Sequence, residues 1–179
     1  VYTIWEYVFK NCTALEKIRL PRTLEKIDQG AFENCSALSY VFFPGNLKII
    51  GGWSFKACSA LTEIDMQWVD ATEIRAGAFK NCYVLATIHL PADIQVLGDS
   101  CFYGIGATSF TVPATVTEVG PWCFARAAVK EITFEGNAPT IGEGAFNKIT
   151  LTAYYPADNA TWTADVMQNY GGEITWTAK

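Results

Sequence analysis

The stretch GAFENCSAL, residues 30–38, contains the residues that decide the fold. Its phenylalanine, Phe32, recurs along the chain at intervals of 22 to 24 residues, each time with an aliphatic residue five positions earlier. Because the two residues keep the same separation in all seven occurrences, they indicate an internal repeat. A repeat of this length is typical of a solenoid. The two sets are Phe9, Phe32, Phe55, Phe79, Phe102, Phe124 and Phe146, and Ile4, Ile27, Ile50, Ile74, Leu97, Val119 and Ile141.

After the phenylalanine the unit continues as x-x-C-x-x-L-x-x-I-x-L-P, as in NCTALEKIRLP (residues 11–21) and NCYVLATIHLP (residues 81–91). The alternating I-x-L segment predicts a short strand with its apolar residues inward, ended by the proline. The L-x-x-I segment that follows is expected to carry the chain across to the other side. Phe, Cys and Leu at intervals of three predict a single helical or 3₁₀ turn. The later units drop a residue or two before the strand.

The cysteine of the opening stretch, Cys35, occupies a slot that predicts a core residue. Equivalent side chains on stacked strands point the same way, so a disulfide between adjacent units would be strained. Cysteines 19 or more residues apart also lack the close spacing of a metal site. We therefore predict free, buried thiols that pack as small hydrophobic groups. The slot holds Cys12, Cys35, Cys58 and Cys82, then Ile105, Ala127 and Ile149, whereas Cys101 and Cys123 lie just before the phenylalanine, where other units have small residues.

The composition excludes several classes of function. Half of the 179 residues are apolar, only 17% are charged, and the net charge is −5 without a basic cluster, so nucleic acid is not an expected partner. No apolar run approaches the roughly 20 residues that span a bilayer. The sequence has neither a glycine-rich phosphate loop nor a nucleophile beside a base, so we expect no enzyme, no cofactor and no metal site.

The repeated unit P-x-x-L-x-x-I-x-x-x-A-F-x-x-C-x-x-L-x-x-I-x-L resembles the BspA-type leucine-rich repeat of bacterial surface proteins. The resemblance implies a right-handed, β-rich solenoid of short parallel strands, with about seven units of 22–24 residues. Residues 1–156 would form these units, the first one truncated, and residues 157–179 look like the segment that closes such arrays. The resemblance also implies an extracellular place, at the bacterial cell surface or secreted, and a role in adhesion.

The two ends of the chain carry separate expectations. Trp162, Val166 and Tyr170 recur every four residues, which predicts a short amphipathic helix that is ended by glycines before a strand-like EITW. At the other end the chain starts inside a unit, and we expect the native protein to continue upstream. The uncapped first rung would leave the domain a monomer or allow weak end-to-end association.

A candidate binding patch lies among the residues that point outward between the buried strand positions. In YVFF, residues 40–43, two outward aromatic residues flank an inward valine. Clustered exposed aromatic residues often mark contact sites, so we predict that a protein or a glycan binds there. The predicted patch consists of Arg19, Tyr40, Phe42, Asp65, Trp68 and His89.

Other interpretations of these residues stay open. Tyr40 and Phe42 could pack against Trp68 and the stems of Lys17 and Arg19 as a surface ladder that stabilises neighbouring strands. His89, the single histidine, has only Asp65 nearby as a partner for ligand or base chemistry. Trp53 and Trp122 replace glycines of other units and are expected to cover the turn side.

Three functions agree with this sequence. The first is a binding or adhesion module of a larger secreted or cell-surface protein. The second is a structural spacer without a ligand, which holds other domains away from the cell wall. The third is a targeting module for an enzyme elsewhere in the parent chain. A binding module should lose its ligand when the outward row is mutated, whereas a spacer should tolerate the change.

Overall fold

The computed structural model describes residues 1–179, wound into a solenoid of stacked rungs that are built from strands and turns without a helix. Each rung passes through a two-residue strand, a turn around the repeated phenylalanine, and a second, usually longer strand. Because every strand pairs in parallel with the equivalent strand of a neighbouring rung, the predicted solenoid of short parallel strands is confirmed. No helix is available that could cross a membrane.

The two-residue strands form one continuous, seven-stranded sheet, which we call the continuous sheet. These strands fall in the L-x-x-I segments, which were expected to carry the chain across to the other side and were not predicted as strands. A two-residue strand presents one inward aliphatic residue, which is too little to reveal a period of two in the sequence. Numbered along the chain, the strands are β1 (Thr3–Ile4), β3 (Lys26–Ile27), β5 (Ile49–Ile50), β7 (Glu73–Ile74), β9 (Val96–Leu97), β11 (Glu118–Val119) and β13 (Thr140–Ile141).

The longer strands lie on another side, the strand face, and form three separate sheets. The first joins β2 to β4, the second joins β6 to β8, and the third runs β10-β12-β14-β15. No backbone hydrogen bond joins β8 to β10 or the paired segments of β4 and β6. The strands are β2 (Lys17–Arg19), β4 (Tyr40–Phe42), β6 (Glu63–Asp65), β8 (Thr87–His89), β10 (Ser109–Val112), β12 (Glu131–Phe134), β14 (Thr150–Tyr155) and β15 (Glu173–Ala178).

The break between β8 and β10 coincides with a change in the repeat length. In the fourth unit the inward strand residue Ile88 comes nine positions after Phe79, whereas in the fifth unit Phe110 comes only eight positions after Phe102. The shorter connection brings the chain into the strand one residue early, so β10 does not continue the ladder of β8. We call this junction the seam.

The break between β4 and β6 has a different setting, because the spacing of the repeat is unchanged there. Phe43 fills the inward slot that holds Leu20 and Met66 in the neighbouring units. Its ring lies edge-on to the ring of Phe55, with 5.4 Å between the centroids. A phenyl ring needs more width than leucine or methionine, and the break lies between β4, which Phe43 follows, and β6.

The core is organised around a column of the repeated phenylalanines. Neighbouring rings from Phe9 to Phe146 stack with centroid distances between 5.1 and 5.9 Å and interplanar angles of 15° or less. All of them except Phe9, in the first rung, are fully buried. Each ring therefore stacks only on the rings of the units before and after it, which is the nearest-neighbour packing of a repeat protein.

The turn around each phenylalanine is not helical, contrary to the prediction from the spacing of three. The residues two positions before and two positions after it have φ between +53° and +69°, which is the left-handed region, whereas a right-handed helix needs φ near about −60°. Two such residues in each turn stop a helix from forming. They are Tyr7, Gly30, Trp53, Gly77, Ser100, Trp122 and Gly144 before the ring, and Asn11, Asn34, Ala57, Asn81, Gly104, Arg126 and Lys148 after it.

In the first of these left-handed columns each aromatic residue is followed by a glycine in the next unit. Trp53 lies over Gly77 of the next unit, so closely that a Cβ atom built on that glycine would lie 2.6 Å from the indole Nε1 atom. The same arrangement places Tyr7 over Gly30 and Trp122 over Gly144. The two tryptophans thus cover the turn side by packing on the glycines of the units that follow them.

The cysteines of the repeat form a ladder of thiols inside the solenoid. The Sγ–H groups of Cys35, Cys58 and Cys82 donate to the carbonyl oxygens of the phenylalanine one unit earlier, at 3.0, 3.3 and 3.2 Å. All six cysteines are free, and all except Cys12 are buried. The prediction of core thiols is confirmed for these five residues.

These thiols are expected to be inert in the folded protein. The thiolate is the reactive form, and burial raises the pKa of Cys35 to about 11 and the pKa of Cys82 to about 12. At pH 8 a colorimetric thiol titration of the native chain should show one rapidly reacting group, Cys12, whereas the chain unfolded in guanidinium should show six. Rapid labelling of two or more native thiols would contradict the packing described.

The C-terminal segment continues the pattern of the rungs without the predicted helix, because residues 160–170 form only turns, a bend and irregular stretches. The carbonyl oxygens of Tyr170 and Gly171 accept hydrogen bonds from the N–H groups of Phe146 and Lys148, at 3.1 and 3.2 Å, as the next unit does elsewhere. Trp162 packs between aromatic rings of β12, β14 and β15. The segment therefore covers the last turn, and β15 extends the strand face.

Candidate functional site

The surface depressions of the molecule lie on the strand face or at the ends of its strands. This distribution follows from the alternation of the strands, because the residues between the inward positions point outward there. The continuous sheet offers no comparable depression. The strand face is thus the side of the molecule that offers a ligand concave surface.

Two outward side chains of β4 form the most prominent feature, which we call the aromatic ridge. Tyr40 is 49% exposed and Phe42 is 44% exposed, with the buried Val41 between them. The ladder sets Lys17 beside Tyr40 and Arg19 beside Phe42. Two aromatic side chains therefore stand next to two cations on the β2 side.

The ridge separates two depressions of different character. On the β2 side, Lys17 and Arg19 complete a depression of about 510 Å³ with the ridge. On the β6 side, Asp65 and Trp68 line one of about 330 Å³, at the break between β4 and β6. A ligand that crosses the ridge would meet positive charge on one side and a carboxylate with an indole on the other.

Trp68 is held beside the ridge by the turn that follows β6. Gly45 makes room for this turn, because a Cβ atom there would lie 2.9 Å from the carbonyl oxygen of Trp68. The N–H group of Asp70 donates to the carbonyl oxygen of Gly45 at 3.1 Å, which ties the turn to the rung before it. The indole is nevertheless 79% exposed. The backbone thus fixes Trp68 while its side chain faces the solvent.

His89 lies in a different depression from the other predicted patch residues. It stands in register with Asp65 across the β6–β8 ladder, but no hydrogen bond or ion pair joins the two side chains. Its imidazole lines a polar cleft of about 670 Å³ at the seam. The structure thus groups Arg19, Tyr40, Phe42, Asp65 and Trp68 around the aromatic ridge and places His89 apart from them.

Comparison with known proteins places this architecture in a family. The family model described as BspA type leucine rich repeat region (6 copies) matches residues 1–102 and 68–165. The chain belongs to the BspA-type leucine-rich repeat family. No match was found among the curated proteins.

Two solved structures are similar to this BspA-type chain. A leucine rich cell surface protein from Faecalibacterium prausnitzii is 23% identical, with a TM-score of 0.57, over 89% of this chain and 60% of that one. A leucine-rich repeat protein from Bacteroides ovatus is 20% identical, with a TM-score of 0.45, over 99% of this chain and 64% of that one. The first likeness supports the fold, and the chain spans less than two thirds of each of these proteins.

Sequence reasoning did not predict the cleft at the seam of this BspA-type solenoid. Thr87, Ser109 and Thr111 are recognisable from the sequence as outward residues, but nothing in the alternation marks them as neighbours across a gap. The sequence does mark the position of the cleft, because the segment from Phe102 to Phe110 is one residue shorter than in the units before it. This shorter segment shows where the ladder changes register. A change of spacing inside a repeat thus marks a place to look for a cleft.

The side chains of the strand face are suited to contacts with a binding partner rather than to the coordination of a metal ion. No group of three or more His, Cys, Asp or Glu side chains is close enough to share a metal ion. The Asp65 carboxylate accepts hydrogen bonds from the N–H and the side-chain amide of Gln67, both at 3.2 Å. These bonds fix its orientation toward the ridge. The arrangement offers aromatic surface, hydrogen bonds and separated charges.

Proposed function

We propose that this BspA-type repeat domain is a binding module of an extracellular or cell-surface protein, and that it recognises a protein or a glycan on the strand face. The contact would be centred on Tyr40 and Phe42, with Arg19, Asp65 and Trp68 around them and His89 one rung further. The cell-surface setting follows the family and the similarity to the leucine rich cell surface protein from Faecalibacterium prausnitzii.

The observation that carries this proposal is the unpartnered state of the aromatic ridge. Tyr40, Phe42 and Trp68 belong to none of the stacked or edge-on aromatic pairs of the molecule, and no cation lies over their rings. The hydroxyl group of Tyr40 makes no hydrogen bond within the chain. Exposed aromatic residues without internal partners, set between depressions, favour a contact site over a ladder that merely stabilises the strands.

The proposal is tested by binding of the purified domain to immobilised matrix proteins, mucins and glycans. A Tyr40→Ser/Phe42→Ser variant should bind at least about 30-fold more weakly, since central aromatic contacts contribute about 2 kcal/mol or more. A matched Tyr83→Ser/Val84→Ser variant, which changes exposed residues away from the ridge, should bind like the unaltered domain.

Circular dichroism must show that both variants keep the fold. Equal loss of binding in both variants would contradict a ridge-centred site. Absence of binding by the unaltered domain to every member of the panel would favour a structural spacer.

A further inference from the structure

We propose that the cleft at the seam is a subsite for a neutral oligosaccharide, an inference that rests on the proposed binding function and names its ligand. The cleft lies between β8 and β10, where the ladder of the strand face is broken, and has a volume of about 670 Å³. It is therefore large enough for several sugar rings, given that pockets for small ligands have about 300–1,000 Å³.

The side chains of the cleft match the hydroxyl groups of a sugar. Thr87, His89, Ser109 and Thr111 are exposed and their side chains make no hydrogen bond within the chain, so the side-chain donors and acceptors are free. Hydroxyl and imidazole groups can both donate and accept, as sugar hydroxyl groups do. The polar side chains that line the cleft are those of Gln67, Thr87, His89, Ser109, Thr111 and Glu135.

The charges of the cleft select a neutral ligand. No lysine or arginine lines it, and Glu135 contributes a carboxylate. Sialic acid, sulfate and other anionic groups would meet this carboxylate without a cation to pair with them, which disfavours their binding. A neutral sugar chain can instead donate hydroxyl hydrogens to the Glu135 oxygens.

The backbone at the seam adds unused hydrogen-bonding groups. In a parallel ladder, successive residues direct their N–H and C=O groups to opposite sides. Thr87 is bonded on the β6 side, because its N–H donates to the carbonyl oxygen of Thr62, just before β6, at 3.2 Å; Ile88 therefore directs its backbone groups toward β10. No bond crosses the gap to meet them. These groups are available to a ligand in the cleft.

An inserted peptide strand fits this gap less well than a sugar chain does. A strand between β8 and β10 would need two strand spacings, about 9.6 Å, between the rungs. On the continuous sheet the same rungs are joined directly, by the pairing of β7 with β9. This ladder holds the rungs at a single spacing, which favours a ligand that lies across the cleft over one that separates the rungs.

The turn after β6 lies between the cleft and the aromatic ridge. Gln67 lines the cleft, and the next residue, Trp68, lines the depression beside the ridge. The apolar C–H face of a pyranose ring packs on the electron-rich face of an aromatic ring. An oligosaccharide bound in the cleft can therefore place one sugar against the exposed indole of Trp68.

The test uses the whole domain and a set of neutral hexose oligosaccharides of three to six units, with sialylated and sulfated counterparts and a random peptide library. Binding to a neutral member is expected to weaken at least about tenfold in a His89→Ala/Thr111→Ala variant, because each lost hydrogen bond contributes about 1 kcal/mol. A Thr62→Ala/Thr133→Ala variant, which changes threonines of the same face outside the cleft, should bind like the unaltered domain.

The other outcomes separate this inference from the proposed function. Binding of only the anionic sugars, or of a peptide lost in the His89→Ala/Thr111→Ala variant, would overturn the neutral-glycan assignment. Binding of a protein that is lost only in the Tyr40→Ser/Phe42→Ser variant would overturn it as well, while the binding function stands. An unaltered domain that binds no sugar, peptide or protein would overturn both.

Discussion

The Phe79→Ala variant is expected to lose about 4 kcal/mol of folding free energy, because removing a buried phenyl ring costs its transfer free energy and leaves a cavity. The ring of Phe79 stacks on those of Phe55 and Phe102, at 5.4 and 5.8 Å between centroids. Its loss interrupts the aromatic column in the middle of the solenoid. For a chain of this size we expect the thermal midpoint to fall by about 10 °C.

Thermal and guanidinium unfolding followed by circular dichroism measure this effect. Phe42→Ala is the matched control, since it removes the same side chain from an outward, 44% exposed position and should cost less than about 1 kcal/mol. Similar losses in the two variants would contradict the assignment of Phe79 to the core column. Because contacts join only neighbouring units, the Phe79→Ala variant is also expected to unfold in two steps, with the two halves separating at the defect.

The second large effect is expected from Gly77→Ala, at about 3 kcal/mol. Gly77 has φ +64°, where an L-residue costs about 1–2 kcal/mol, and the new Cβ atom would meet the indole of Trp53. Displacing a packed ring adds a cost of about 1–3 kcal/mol. Guanidinium unfolding of the variant and of the unaltered chain measures the sum of the backbone strain and the cost of displacing the ring.

Two further variants separate the two costs. Gly104→Ala puts the same methyl group at φ +69°, where the nearest atoms lie 3.3 and 3.4 Å away, so it should lose only about 1 kcal/mol from the backbone strain. In a Trp53→Gly background, Gly77→Ala should also fall to about 1 kcal/mol, which reveals the coupling of the pair. An unchanged cost in that background would show that the indole does not restrict the glycine.

Much of the fold could be predicted from the spacing of apolar residues. The repeated phenylalanine and its aliphatic companion gave the solenoid and its core, since inward positions must recur once per rung. The turn was mistaken for a helix because spacing alone does not distinguish left-handed from right-handed backbone. Asn11, Asn34 and Asn81, in the position after the ring, were the available signal, because asparagine and glycine tolerate positive φ.

The candidate site could be predicted less completely. Alternation along β4 correctly gave Tyr40 and Phe42 as outward residues, and both are exposed. Alternation says nothing about where neighbouring strands separate, so His89 was grouped with the aromatic residues although it lines another depression. The breaks accompany the larger inward ring of Phe43 and the residue lost between Phe102 and Phe110, and neither change alters the alternation along a strand.

The alternation of aromatic residues and glycines on the turn side constrains how the array can change its length. Tyr7 packs on Gly30 and Trp53 packs on Gly77, so each of these aromatic residues needs a glycine in the unit that follows it. Loss of the single unit that carries Gly30 would bring Tyr7 against Trp53. Loss of the unit that carries Trp53 would instead bring Gly30 beside Gly77, so the array is expected to tolerate the loss of an aromatic unit better than the loss of a glycine unit.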